Sequence, residues 1–188
     1  MTKVVLHNVR ASFVHVFKPY SIDGRDAKYS MQIIMPKDHP ELPKLKKAIG
    51  EAARDKWAQK IADERFKAKL KLPLRDGDDY LDEHPERQEY AGTVFFNSSS
   101  KTRRPQLFRP DKTQLLEEDE LLHSGDYVNV VLSTFAFDTS GNMGVGVGLN
   151  GVQFKRKGQP LGGASDCTND FDEETEDLKV SSDDDLIG

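Results

Sequence analysis

Residues 3–17 are dense in valine and aromatic positions and hold no helix breaker, which predicts a long opening strand. Residues 18–27 interrupt it with the turn-favouring Pro19, Asp23 and Gly24. From 28 to 35 the pattern alternates, with Tyr29, Met31, Ile33 and Met35 on one face and Lys28, Ser30 and Gln32 on the other. A period of two predicts a half-buried strand that pairs with the first as a hairpin. Asp38 and Glu41 then have the spacing of a capping box, and Leu42, Leu45, Ile49, Ala52, Trp57 and Ile61 follow at roughly helical intervals. The predicted helix is interrupted near Asp63, ends before Pro73 and has a polar face rich in Lys and Arg.

Residues 74–87 are polar and acidic, contain Gly77 and Pro85, and read as an exposed loop. Strand character resumes over 90–97, yields to a basic loop over 98–105 and returns over 106–109. Residues 113–122 predict a turn and a short helix, closed by Ser124 and Gly125. The clearest strand is 126–137, with Val128, Val130 and Leu132 on one face. A turn at 139–142 and a return strand over 143–154 make a hairpin, which Lys155, Arg156, Lys157 and Gly158 close with positive charge.

About five strands, one helical insertion and no strand–helix alternation predict a mainly β chain of the α+β class. The order fits an OB-fold-like five-stranded barrel whose helix enlarges a connection between early strands; a β-sandwich is the rival with the same periodicity. Residues 159–163 resemble a linker. The expected organisation is therefore one domain over 1–160 and a disordered acidic C-terminal tail over 161–188.

Charge sharpens that division. Over 165–188 ten acidic residues face only Lys179, giving −9, whereas residues 1–164 hold 26 basic and 22 acidic residues. A mildly basic body beside a strongly acidic tail suits a polyanion partner with which the tail competes, or a tail that only aids solubility. Apolar residues are 36% of the chain and their runs are short, so no membrane span is expected, and the opening residues do not resemble a signal peptide. The single Cys167 cannot form an internal disulfide, which leaves a cytoplasmic protein as the expectation.

Signals for catalysis are missing. His7, His15, His39, His84 and His123 lie far apart in sequence, no phosphate-cradling Gly-rich loop with Lys-Ser/Thr occurs, and no serine sits in a nucleophile elbow. No enzyme activity, metal or cofactor is expected; a magnesium-dependent nuclease is conceivable only because carboxylates are abundant. The glycines of Gly144-Val-Gly-Val-Gly148 share one strand face, either to let the barrel curve or to let a base or sugar approach.

Single-stranded nucleic acid is held by cations along a groove and by aromatic faces for stacking. Phe13, Phe17, Lys18, Tyr20, Arg25 and Lys28 cluster around the first hairpin. Phe96, Lys101, Arg103, Arg104, Phe108 and Arg109 flank the second basic loop. Phe135 and Phe137 lie off the Val128 face, and Lys155, Arg156 and Lys157 follow the last strand. Any one ring suits a core and any one cation suits solvent, but both types recur together in three separate segments. In the tail, Asp183, Asp184, Asp185, Leu186 and Ile187 place an apolar pair beside three acids, the chemistry to dock on a basic-rimmed apolar pocket of a partner.

The stretch 125–137 followed by 141–154 resembles the C-terminal signature of a family of phage replication proteins, once known only as a domain of unknown function and now placed among OB-fold single-stranded-DNA-binding proteins. The similarity continues through 155–163, and it includes 5–17 joined to 28–37 and the Ser/Lys/Arg-Pro segment at 97–105. The resemblance implies a protein that coats single-stranded DNA with little sequence preference during phage replication or recombination. It also implies a tail that recruits replication or recombination proteins. The ending here, Leu-Ile-Gly, departs from the bacterial type with its proline and final phenylalanine. RNA stays open as a ligand because stacking faces do not distinguish sugars, and an OB-fold adaptor that binds only proteins is the alternative.

Overall fold

The computed structural model describes residues 1–21, 24, 26–139 and 141–161. Five strands form a closed barrel: β1 (Thr2–Tyr20), β2 (Lys28–Pro36), β4 (Thr93–Ser100), β6 (Tyr127–Thr139) and β7 (Asn142–Arg156). Their order is β4-β2-β1-β6-β7, and a parallel contact between Ser99 and Gly148 joins the two ends. Short β3 (Arg75–Asp76) extends β4, and β5 (Gln106–Phe108) runs parallel to β7.

The opening strand serves two neighbours. Residues 2–10 of β1 pair with β6 and residues 10–20 pair with β2. One strand can do this because its register breaks between Leu6 and Val9 and again between Ser12 and His15. Asn8 (φ 53°) and Phe13 (φ 48°) sit in those breaks with positive φ. Such bulges bend a strand and increase its twist, which a small barrel needs for closure.

Helix α1 (Leu42–Trp57) packs against β1, β6 and β7, and its Leu45, Ala48, Ile49 and Ala52 join the barrel core. Thr134 of β6 donates its hydroxyl to the Ala48 carbonyl at 3.1 Å. The capping box expected at Asp38 does not form. The helix begins after Glu41, whose carboxylate accepts the His7 backbone N–H at 2.6 Å and bonds the His7 ring at 2.8 Å. Burial pushes the Glu41 pKa up, but the bonds from His7 outweigh it and hold the group below its ordinary value. A long-range bond to a strand bulge has taken the place of a local one. The interruption near Asp63 does occur: Asp63 caps a second short helix, α2 (Glu64–Lys67), by accepting from the Arg65 N–H.

Residues 74–87 are not an exposed loop. They contain β3 and α3 (Gly77–Glu83), and Asp76 caps α3 by accepting from the Asp78 N–H. Tyr80 packs on Tyr90 and Phe95 at 4.8 and 5.2 Å, and with Ile34 these rings form a second small core on the outside of β2 and β4. The Tyr90 hydroxyl donates to the Gln32 side chain. Two apolar contacts hidden among acids carry too little period for sequence to reveal this cover. No helix among the described residues is long and apolar enough to cross a membrane.

Candidate nucleic-acid interface

Strand partners in register point to the same side of a sheet, so the pairings trace rows around the barrel. One outward row runs His15, Ser30, Ser99, Gly148 and Ser133 across five strands. Its members past His15 are small, so the row forms the floor of a shallow channel. Along one side stand amides: Gln32 donates to Asn97 at 3.2 Å, and Asn150 accepts from Ser133 at 3.4 Å. Asn150 stands out because the β6–β7 register slips between Leu149 and Gly151. Tyr20, Lys28 and Phe135 line the other side, one register step away.

The floor crosses the β4–β7 seam at Ser99 and Gly148. There a cleft of about 820 Å³ is lined by Ser99, Lys101, Arg103, Arg104, Phe135 and Gly148, among others. Phe135 is 38% exposed, although it is a large apolar ring. Its far edge reaches over Gly146, where a Cβ would come within 2.6 Å of the ring. Gly144 is likewise covered: a Cβ there would meet the Lys71 carbonyl at 2.3 Å and the Phe137 ring at 2.9 Å. The glycine strip thus seats two phenylalanines and the end of the helical insertion, and Gly148 remains the part that opens onto the cleft.

The predicted cations fall into different states. Arg103 and Arg104 are exposed on the cleft, and the Arg104 guanidinium lies 5.8 Å from the Phe17 ring centre. Lys18 pairs with Glu117 at 2.9 Å, and Lys101 reaches Asp26 at 3.4 Å. Arg109 pairs with Asp119 at 2.5 Å. The Leu116 N–H and then Arg109 hold the Asp119 carboxyl below its ordinary pKa. Lys157 donates to the Leu121 carbonyl at 2.6 Å and pairs with the nearly buried Asp126 at 3.2 Å, so it fastens the chain after β7. Arg156 stacks its guanidinium on Tyr127 at 3.5 Å, and Lys155 is exposed.

Of the predicted rings, Phe96 is the clear correction. It points into the barrel and is 1% exposed, so no base can reach either face. It alternates with Phe95 along one strand, and sequence had no means to tell which of the pair faced inward. Phe108 lies in a neighbouring depression with Lys3, His7 and Lys112, which meets the cleft at Gln106 and Asn150. Tyr20 is half exposed and stacks on His15 at 4.4 Å. Phe13 is also half exposed, with the Arg87 guanidinium 5.7 Å from its ring centre. Arg25 and the tail residues Asp183, Asp184, Asp185, Leu186 and Ile187 lie outside the described residues. Sequence reading missed His15, Ser30, Asn97, Ser99, Ser133 and Asn150, since small polar residues become a floor only when strands from distant segments meet. Among the described residues no group of three His, Cys, Asp or Glu side chains could hold a metal ion.

Known proteins with this architecture match over most of the chain. The family described as "Enterobacter phage Enc34, ssDNA-binding protein" matches residues 2–184. "Putative protein p50" of Acyrthosiphon pisum secondary endosymbiont phage 1 is 31% identical over 192 residues, covering 98% of each chain. The single-stranded DNA-binding protein of bacteriophage Enc34, solved in complex with ssDNA, superposes with a TM-score of 0.66 at 25% identity over 85% of this chain and 89% of that one. The fold is shared with gp2.5, a single-stranded DNA binding protein of bacteriophage T7, at a TM-score of 0.60 and 16% identity over 94% and 99% of the two chains. With a match running almost from end to end, the chain belongs to the Enc34 family of phage single-stranded-DNA-binding proteins.

Proposed function

We propose that this chain binds single-stranded DNA without catalysing a reaction on it, and that the strand crosses the barrel along the Ser30–Ser99–Gly148–Ser133 floor. The observation that carries this reading is the exposed Phe135 ring, seated on Gly146 beside Arg103 and Arg104. A base stacked on that ring gains roughly 1–3 kcal/mol, and the two guanidiniums on the same cleft are available to its phosphates. The amide side of the channel can bond to bases or sugars of any sequence, which supports coating with little sequence preference. Tyr20 with His15, Lys28 and Phe17 extend the path around β1 and β2.

Family membership supports a place in phage DNA replication or recombination inside the host cell. In this reading residues 1–160 form the binding domain, and the acidic segment after it recruits replication or recombination proteins. The test is a fluorescence titration with labelled single-stranded DNA, duplex DNA and RNA over a range of salt. Preference for single strands with a steep salt dependence is expected. Equal, salt-insensitive binding, or none, would favour the protein-only adaptor.

A further inference from the structure

The positive charge of the body is not concentrated at the channel. Residues 42–74, the helical insertion, hold ten Lys/Arg and four Asp/Glu, a net +6, whereas the rest of residues 1–164 holds sixteen and eighteen. On this insertion lies a second groove of about 410 Å³. Ile49 and Ala53 of α1 line it together with Ile61, Leu70 and Leu74. Leu72 stands at its lip 58% exposed, the most open large apolar side chain of the described residues after Met1. No aromatic ring lines the groove, so it offers a base nothing to stack on.

Lys46, Arg54 and Lys67 rim this apolar floor. Lys67 is shared with Glu64 at 2.6 Å, but Lys46 and Arg54 have no carboxylate partner among the described residues. Arg54 folds back over Gly50, where a Cβ would come within 3.3 Å of its guanidinium nitrogens. A glycine inside a helix costs about 1 kcal/mol relative to alanine. Here it lets the guanidinium lie along the helix at the groove edge. An aliphatic floor rimmed by cations, two of them unpaired, calls for an aliphatic anchor flanked by acids.

The chain carries that anchor itself. Asp183-Asp-Asp-Leu-Ile187 sets Leu186 and Ile187 directly after three carboxylates, within a segment of net charge −9. Leu186 lies twenty-five positions after Leu161, enough to span ~80 Å when extended. A body of this size has a radius of gyration of only ~15 Å, so the groove is within reach. Tethering at such a length gives an effective concentration on the order of millimolar, so a weak contact suffices. We propose that the α1–α2 groove seats residues 183–187 of the same chain, with Leu186 and Ile187 on the aliphatic floor and the aspartates against Lys46 and Arg54. The seat shares no lining residue with the single-strand channel. The tail is thereby held on the body until a partner with a similar pocket takes it, and it does not have to occupy the DNA path. This rests on reading the tail as a docking segment and is independent of DNA binding.

The test places a photo-reactive benzophenone amino acid at position 188 of the full chain and maps cross-links by mass spectrometry. Cross-links to residues 46–74 at monomer mass are expected, and they should persist with saturating oligothymidylate. Arg54→Glu combined with Lys46→Glu, and separately Leu186→Ser with Ile187→Ser, should each lower the yield at least about fivefold, as should raised salt with the unaltered residues. Circular dichroism confirms that the helix survives the charge reversals. Cross-links to residues 99–104 or 133–150 that oligothymidylate displaces would overturn the seat, as would dimer-mass products or the absence of any product. Oligothymidylate anisotropy on the same samples reports DNA binding separately, so loss of one reading leaves the other standing.

Discussion

The channel and the helical insertion divide two properties usually expected together. The channel has an exposed ring and a floor of serines and glycine. Of the cations predicted for it, Lys18, Lys101 and Arg109 already face carboxylates, while Arg103 and Arg104 face none among the described residues. The insertion carries more than the whole body's excess positive charge, since the rest of residues 1–164 is net negative, yet its groove is aliphatic and presents no ring. Net charge alone would therefore point to the insertion and not to the channel proposed for the strand. Stacking needs an open aromatic face and room beside it, and that is a matter of shape.

Several measurements would break or sharpen this contrast. Arg103→Ala with Arg104→Ala should lower single-strand affinity on the order of a hundredfold, as two charge-assisted contacts are lost. The same pair should flatten the plot of log affinity against log salt by about 0.7 per lost phosphate contact. Next comes Phe135→Ala, which should weaken binding roughly 5- to 150-fold while leaving the salt slope alone. Anisotropy titrations at several salt concentrations separate the two. Gly146→Ala is a subtler probe: its methyl group must push the Phe135 ring aside, so a loss of severalfold is expected with the fold retained by circular dichroism. Neutralising Lys46 and Arg54 should change single-strand affinity less than about twofold at moderate salt, since exposed charges away from the strand are screened. A drop as large as that from Arg103 and Arg104 would erase the distinction between the two surfaces.

The smallest effect concerns the strap between them. Glu41 ties the start of α1 to His7 of β1, and its pKa is lowered on folding. A carboxylate of this kind contributes stability above its unfolded value, near 4.5, and loses it as pH falls through the lower folded value. Glu41→Gln should therefore cost less than about 1 kcal/mol at neutral pH, and the difference in urea midpoint should shrink as pH drops below 4.5. A difference that grows on acidification would contradict the assignment.

Local pattern was sufficient for the long elements. Alternation over Met31, Ile33 and Met35 and over Val128, Val130 and Leu132 marks faces that are buried in the barrel. The apolar spacing from Leu42 to Trp57 marks α1, and Asp63 marks its interruption. Where the apolar signal was sparse, as around Tyr80, an acidic stretch concealed a helix that covers part of the sheet. Phe96 and Phe135 illustrate the same limit for the site. Both are phenylalanines on strands near basic loops, yet one fills the barrel and the other lies open on a glycine.

The sequence by itself determined where the long strands run, which face of most of them is apolar, and how charge divides between body and tail. Each of these depends on neighbours a few residues away. Tertiary structure alone decided that Ser30, Ser99, Gly148 and Ser133 form one row and that Arg103 and Phe135 line one cleft. It also decided which cations already have acidic partners. Those relations arise from barrel closure, in which β1 pairs with residues of β6 more than a hundred positions away, and from bulges at Asn8, Phe13 and Asn150, and they leave no period along the chain.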